Sequence, residues 1–137
     1  DGLYLLLLDD ASMYLLELVR EVGNARGATL VHCAAGKDRT GVSIALLLRL
    51  VGVPRPAVLE DYLATAAARE AIRARLRRAA GHRRRAALPP AFFAVSSTAI
   101  EGVLDVWDGH AGGVHGWFRS IGGDDSAVER LRRTLIG

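Results

Sequence analysis

The chain has 137 residues, half of them apolar and 24% charged, with a formal net charge of +3 at pH 7 and one cysteine. This is enough apolar material for one compact domain, and a single thiol excludes a disulfide framework within the chain. No apolar run approaches the about 18 to 20 residues of a membrane-spanning helix. A free thiol suits the reducing cytoplasm, and the sequence leaves export open.

The first predicted elements are a helix and a strand. Residues 13–22 repeat apolar side chains at the spacing of one helix face, with Ser12 as the N-cap and Gly23 as the stop. Residues 28–31 are apolar and partly β-branched, which is typical of a buried strand. A helix, a short loop and a buried strand predict an α/β layer.

The motif that follows this strand is the centre of the sequence. Residues 32–41 read HCAAGKDRTG and precede a long apolar helix, predicted to run from Thr40 to Leu50. The free N–H groups and the dipole at the start of a helix form a site for an anion such as phosphate. The same field favours the thiolate of Cys33 and lowers its pKa from about 8.5. We therefore expect Cys33 to be a nucleophile at neutral pH.

Other residues of the motif have roles that suit chemistry at a phosphate. Arg39 carries a planar guanidinium that can bind two oxygens of one anion. Thr40 places a hydroxyl beside the sulfur, where it can steady the thiolate as a leaving group. Backbone N–H groups are expected to hold most of the phosphate. They belong to Ala34, Ala35, Gly36, Lys37, Asp38 and Arg39.

The motif resembles the phosphate loop of the cysteine-dependent protein tyrosine phosphatase superfamily: His-Cys, five residues, Arg, then Ser or Thr and Gly. Residues 36–41 resemble its atypical bacterial branch, which acts on phosphotyrosine and in some cases on phosphoserine, phosphothreonine and phosphoinositides. The resemblance implies an α/β fold, with a phosphotyrosine-phosphatase-like sheet flanked by helices, and a phosphocysteine intermediate. Gly41 completes the motif, and His32 is expected to orient the loop by hydrogen bonds, with a packed core histidine as the alternative.

The resemblance also implies several strands and, in many relatives, an acidic loop upstream of the motif. The sequence shows neither, so we expect residues 1–137 to be one mostly helical domain that lacks its N-terminal part. A general acid is needed to protonate the leaving group. Asp38 is the first candidate, because the corresponding position serves in the atypical branch; a structural carboxylate paired with an arginine is the alternative.

Another helix is expected directly after the motif helix. Gly52-Val53-Pro54 ends that helix, and Pro56 can occupy the first turn of the next. That next helix has one apolar stripe, with Glu60 and Asp61 outside it. The stripe consists of Val58, Leu59, Tyr62 and Leu63.

An arginine-rich segment follows. Between Arg69 and Arg85 there are eight arginines against Glu70 alone, so the positive charge of the chain is local. A solvated helix explains this pattern, and so does a helical lid over residues 64–90, as some relatives carry. Such a lid would attract anionic lipid headgroups or acidic phosphopeptides. No nucleic acid is expected, because no aromatic residues alternate with the arginines to stack on bases.

The end of the chain predicts three short helices. Thr98 with Glu101 and Ser126 with Glu129 have the spacing of capping boxes. Nine large apolar residues are the expected core of this part. They are Phe92, Phe93, Ile100, Leu104, Trp107, Trp117, Phe118, Leu131 and Leu135.

The predicted function is hydrolysis of phosphate monoesters. Phosphotyrosine protein is the leading substrate, and a phosphoinositide is next because of Lys37 and the arginines. No cofactor and no metal are expected, since His82, His110 and His115 lack ligand partners at metal spacing. Two alternatives remain: a phosphate-binding module without turnover, and a sulfur-transferring or arsenate-reducing enzyme, which also uses a cysteine and an arginine five residues apart.

Overall fold

A computed structural model describes residue 5 and residues 8–32, 39–80 and 97–137. Several sequence predictions fall outside these ranges: most of the motif, the segment from His82 to Pro90, and the core positions Phe92 and Phe93. The described residues are mostly helical, as predicted. Their helices are α1 (Ser12–Asn24), α2 (Arg39–Leu50), α3 (Arg55–Ala67), α4 (Arg69–Ala80), α5 (Ser97–Gly109), α6 (Gly113–Ser120) and α7 (Asp125–Leu135).

The segment between α1 and α2 is the predicted strand. No strand is assigned anywhere in the described residues, including 28–31, and Leu30 is 84% exposed. A strand is defined by hydrogen bonds to a neighbouring strand, and no neighbour lies among the described residues. A groove of about 410 Å³ lies beside this segment, lined mainly by apolar side chains of α1, α2 and α7. The sheet remains a prediction.

The core is formed by one face each of α1, α3, α5, α6 and α7 around α2. The helix α2 packs against α1, α3, α5, α6 and α7, which explains why it is apolar on most sides. Its side chains Leu46 and Leu50 are fully buried. Around them lie Trp107 and Phe118, also fully buried, with the Trp107 ring tilted at 52° to that of Trp117 and 5.6 Å from it. This packing fixes α2 relative to its neighbours.

The predicted core positions that the structure describes in this part of the chain are buried with one exception. Ile100, Leu104, Trp107, Trp117, Phe118 and Leu131 are all buried. Leu135 is 47% exposed because it is the last residue of α7, where the helix has no further turn to cover it. The prediction for Leu135 was wrong.

Three predicted helix caps were wrong. Ser12 is the first residue of α1, and helical residues already precede it. Its hydroxyl therefore donates back to the Asp9 carbonyl and does not accept from the N–H groups of the first turn. Thr98 lies inside α5, which begins at Ser97. The N-cap of α7 is Asp124, whose carboxylate accepts from the Ala127 N–H at 2.8 Å, two residues before the predicted Ser126. Both serine and aspartate make good N-caps, so spacing alone did not decide between them.

No helix in the described residues is long and apolar enough to cross a membrane.

Candidate active site

The start of α2 is where the motif meets the fold. The helix begins at Arg39, one residue before the predicted start, and the Ser43 hydroxyl donates to the Arg39 carbonyl at 2.7 Å. The described part of the motif consists of His32, Arg39, Thr40 and Gly41. Its remaining residues, Cys33, Ala34, Ala35, Gly36, Lys37 and Asp38, lie outside the described residues, so their roles remain predictions.

The two described side chains at the ends of the motif are open to solvent. His32 and Arg39 are both exposed, and the role of His32 stays a prediction. Arg39 is the first residue of α2 and therefore stands among the N–H groups that the helix leaves without internal partners. A guanidinium in this position is available to an anion bound at the helix start.

The hydroxyl of Thr40 is the unusual atom of this region. Thr40 is partly exposed as a residue, but its Oγ1 is buried and has no hydrogen-bond partner among the described residues. A buried hydroxyl without a partner costs about 1–3 kcal/mol, and such groups in folded proteins have a specific reason. The Thr40 hydroxyl is therefore free to donate to a group close to the start of α2.

A small cavity of about 80 Å³ lies at the same place. It lies between the first turns of α2 and the later turns of α3. Its lining consists of Thr40, Gly41, Ile44, Ala45, Val58, Asp61 and Tyr62. The predicted stripe of α3 is confirmed, because Val58 and Tyr62 are buried while Glu60 and Asp61 are exposed.

Sequence reasoning missed the close contact between α3 and the motif. A Cβ atom built on Gly41 would lie 2.7 Å from Cε2 and 3.1 Å from Cδ2 of Tyr62. Tyr62 had been assigned only to an apolar stripe. The available signal was a glycine inside an otherwise strongly apolar helix, which usually marks a close approach of another group.

The other end of α2 is held by a cluster of four charged residues, here called the clamp: Arg49, Arg55, Asp105 and Asp108. Asp108 accepts from Arg49 at 2.6 Å and from Arg55 at 2.9 Å. Arg55 also donates to Asp105 at 2.8 Å. The clamp joins the end of α2, the start of α3 and the end of α5.

Charge in the clamp shifts two pKa values. Partial burial raises the pKa of Asp108, but hydrogen bonds from Arg49 and Arg55 outweigh it, so the pKa lies below its ordinary 3.8. Hydrogen bonds to Asp108 and Asp105 raise the pKa of Arg55. Both shifts favour the charged forms, the carboxylate of Asp108 and the guanidinium of Arg55.

Two histidines have packing roles. His115 is partly buried and its Nε2 lies 3.1 Å from the Leu50 carbonyl. A carbonyl only accepts, so Nε2 carries the proton and closes the end of α2. His110 contacts the carbonyl of Ala111. Within the described ranges, no group of three or more His, Cys, Asp or Glu could hold a metal ion.

The arginine-rich segment is helical as far as the structure describes it. The helix α4 runs from Arg69 to Ala80, and three of its arginines, Arg75, Arg77 and Arg78, are exposed. The element that packs most against α4 is α3, which leads to it directly. This helix presents positive charge to solvent on the side chains that the structure describes.

Comparisons with known proteins agree with the motif. The chain is 32% identical over 120 residues to the "Triple specificity protein phosphatase PtpB" of Mycobacterium tuberculosis, covering 79% of this chain and 44% of that protein. It is 52% identical over 40 residues to the "Tyrosine-protein phosphatase" of Nostoc commune, covering 29% of this chain and 14% of that protein. The chain thus spans less than half the length of these relatives. The family model described as "Tyrosine phosphatase family" matches residues 1–137, and the chain therefore belongs to the tyrosine phosphatase family.

Proposed function

We propose that this chain carries the phosphate-binding and nucleophilic residues of a protein tyrosine phosphatase that uses Cys33 as its nucleophile. Membership of the tyrosine phosphatase family supports the reaction class. The motif supports the assignment of Cys33, because Cys33 shortly precedes the start of α2 in the sequence, and a helix start favours an anion.

The reaction has two steps. The Cys33 thiolate attacks phosphorus, the S–P bond forms, and the ester P–O bond breaks while Asp38 gives its proton to the leaving oxygen. Water then attacks phosphorus and gives a proton to the Asp38 carboxylate. The S–P bond breaks, phosphate leaves and the thiolate is restored. Arg39 and the loop N–H groups stabilise the charge on the phosphoryl oxygens in both steps.

The observation that carries this proposal is the unpartnered, buried hydroxyl of Thr40. A thiolate that forms when the S–P bond breaks needs a hydrogen-bond donor beside it. The hydroxyl lies at the start of α2 and has no described acceptor, so it is free to donate to that sulfur. In this proposal the free energy lost by leaving the hydroxyl unpaired in the resting fold is recovered when the thiolate forms.

Phosphotyrosine protein is the substrate that the proposal favours, and dual or phosphoinositide specificity is the wider form of it. The Mycobacterium tuberculosis relative is described as having triple specificity. In this chain Lys37 would add positive charge at the rim of the loop, which favours substrates with more than one phosphate. The exposed arginines of α4 would bring an anionic lipid surface towards the site.

The first experiment measures release of p-nitrophenol from its phosphate ester by the intact protein and by Cys33→Ser. We expect turnover by the wild type and at least a 10³-fold loss in Cys33→Ser, because serine is a poor nucleophile without an adjacent base. Tight orthovanadate binding without turnover would instead indicate a phosphate-binding module. Turnover that persists in Cys33→Ser would contradict the proposal.

A substrate series tests specificity. The wild type is compared on a phosphotyrosine peptide, a phosphothreonine peptide and a soluble phosphoinositide at equal concentration. We expect the highest kcat/KM on phosphotyrosine, with measurable rates on the other two. A rate on phosphotyrosine that is lowest of the three would contradict the assignment.

Sedimentation with vesicles tests the arginines of α4. Arg77→Gln with Arg78→Gln removes two charges from α4, and Arg132→Gln with Arg133→Gln removes two exposed charges from α7 as a matched control. Binding to vesicles that contain a phosphoinositide should fall about 30-fold only in the α4 variant, because each basic residue near the surface contributes about 1 kcal/mol. Equal loss in both variants would indicate general charge attraction without a specific role for α4.

A comparison of substrates with different leaving groups tests whether Asp38 is the general acid. A phenoxide leaves more readily than an alkoxide without a proton donor, so Asp38→Asn should slow alkyl phosphates more than aryl phosphates. An unchanged rate and pH profile on both classes would remove Asp38 from the mechanism and support the structural alternative.

A further inference from the structure

Glycine at position 41 lowers the stability of α2. It lies in the first turn of α2 and does not have a positive φ, so the backbone does not require glycine there. Glycine weakens a helix relative to alanine because it has more backbone freedom to lose. The reason for glycine must therefore be steric, and the ring of Tyr62 supplies it.

The ring of Tyr62 has little freedom to move away. Tyr62 is 6% exposed and belongs to the hydrophobic core. Its helix α3 is fixed at the start by Arg55, which is bound to two carboxylates of α5. A methyl group on Gly41 at 2.7 Å from a carbon of that ring would be closer than real Cβ contacts allow. Because the ring has little freedom to move, the first turn of α2, which carries Arg39 and Thr40, would have to shift.

We propose that Tyr62 is a positioning residue for the phosphatase reaction. Its ring fills the space that a Cβ of residue 41 would need and sets where the first turn of α2 lies. Through that turn it sets where the Arg39 guanidinium and the Thr40 hydroxyl meet the phosphoryl group. This inference rests on the proposed function and adds a residue to it that the motif does not contain. The aromatic ring carries this role, since the close contacts are to its Cδ2 and Cε2.

The expected consequence is a loss in kcat with little change in KM. Loop N–H groups would still bind the substrate phosphate, whereas Arg39 and Thr40 would be displaced from the geometry that the transition state needs. A misplacement of about 1 Å costs on the order of 10²-fold in rate. Gly41→Ala should therefore lower kcat about 10- to 100-fold on p-nitrophenyl phosphate, with KM changed by less than about threefold.

Variants at Tyr62 separate a positioning role from a structural one. Tyr62→Phe keeps the ring and should retain kcat within about twofold, while Tyr62→Leu should lower it about tenfold or more. Val128→Ala is the control for lost stability, because Val128 is buried in α7 and does not line the cavity at the start of α2. It should lower Tm without changing kcat of the folded protein.

The two positions should also be coupled. Gly41→Ala should lower Tm in the wild type but raise it, or leave it unchanged, when Tyr62→Leu has removed the ring, because alanine then favours the helix without a clash. Orthovanadate affinity gives a readout that needs no turnover. Gly41→Ala should weaken it at least tenfold, and Tyr62→Phe should not.

The outcomes distinguish the two proposals. If the wild type has no Cys33-dependent turnover, the proposed function fails, and orthovanadate affinity alone then decides whether Tyr62 positions an anion site. If the wild type turns over but Gly41→Ala keeps its kcat and its orthovanadate affinity, Tyr62 has no positioning role. Equal losses in Tyr62→Phe and Tyr62→Leu would also overturn the inference, because the ring would then not be the part that matters.

Discussion

The two ends of α2 are built differently. At the C-terminal end, Leu50 is fully buried, Gly52 adopts a φ of +96°, and the Val53 N–H bonds back to the Leu48 carbonyl at 3.0 Å. The Gly52 N–H bonds to the Arg49 carbonyl, which completes a Schellman motif. At the N-terminal end, Arg39 is exposed and the Thr40 hydroxyl is buried without a described partner.

This difference separates an end of α2 that stabilises the fold from an end that is proposed to take part in the chemistry. The C-terminal end is held by bonds within the protein, through the Schellman motif, His115 and the clamp, although the Nε atom of Arg49 is buried without a partner among the described residues. In our proposals the N-terminal end keeps its donors for a ligand, and packing against Tyr62 sets its position. Substitutions at the C-terminal end should therefore change stability, and substitutions at the N-terminal end should change activity.

The largest expected effect is at Arg39. Arg39→Lys keeps the charge but loses the planar pair of donors, so kcat should fall about 10²- to 10³-fold with Tm nearly unchanged. The matched control is Arg49→Lys at the other end of the same helix, which should lower Tm and leave kcat unchanged. Steady-state kinetics and thermal unfolding of both variants measure this. A similar loss of kcat in both would erase the distinction between the two ends.

The next effect is at Thr40. Thr40→Ala removes a donor to a charged sulfur and should slow hydrolysis of the phosphocysteine about 10- to 100-fold. A burst of p-nitrophenol before the steady state would show that the second step has become limiting. Stability should not fall, because a buried hydroxyl without a described partner is removed. Thr40→Ser should restore the rate, and a Thr40→Ala protein with no burst and normal kcat would contradict the role.

A smaller effect is expected at the turn that ends α2. Gly52→Ala places a side chain at a φ of +96° and should cost about 1–2 kcal/mol of stability without altering kcat. Gly27→Ala is the control, since a Cβ there would touch nothing within 4 Å and its φ is not positive. Denaturant unfolding of the two variants compares them. Equal stability of both would show that the Gly52 turn is not strained.

The smallest effect is at the clamp and depends on pH. Because the folded pKa of Asp108 is lowered, its contribution is present above the unfolded pKa of about 3.9 and is lost as pH falls through the folded pKa. Asp108→Asn should therefore cost about 0.5–1 kcal/mol at pH 7, and the difference should shrink below about pH 4. Unfolding across pH 3–7 measures it. A difference that does not depend on pH would mean that charge is not the cause.

Local signals predicted most of the helical part. The end of α2, the stop at Gly52, the start of α3 and its buried positions followed from apolar spacing and from the turn residues. Choices among neighbouring polar residues were less secure. The N-cap of α7 is Asp124, because its carboxylate reaches the Ala127 N–H, and the sequence offered a second candidate only two residues away.

Features that depend on distant parts of the chain were not predictable in the same way. Residues 28–31 have the composition of a strand, but pairing needs a neighbour that the described residues do not contain. The contact between Tyr62 and Gly41 joins two helices, and sequence periodicity gives only the face on which each residue lies. The site residues that the motif names remain predictions, and the motif by itself did not indicate which residue of α3 lies against Gly41.

The most direct test of the account is the ionisation of Cys33. The rate of its alkylation by iodoacetamide is measured across pH 4–10 in the intact protein, with and without inorganic phosphate. We predict an inflection well below the pH of about 8.5 that is typical of a free thiol, and protection by phosphate. An inflection at or above about 8.5, with no protection by phosphate, would contradict the claim that the start of α2 holds a thiolate in an anion site.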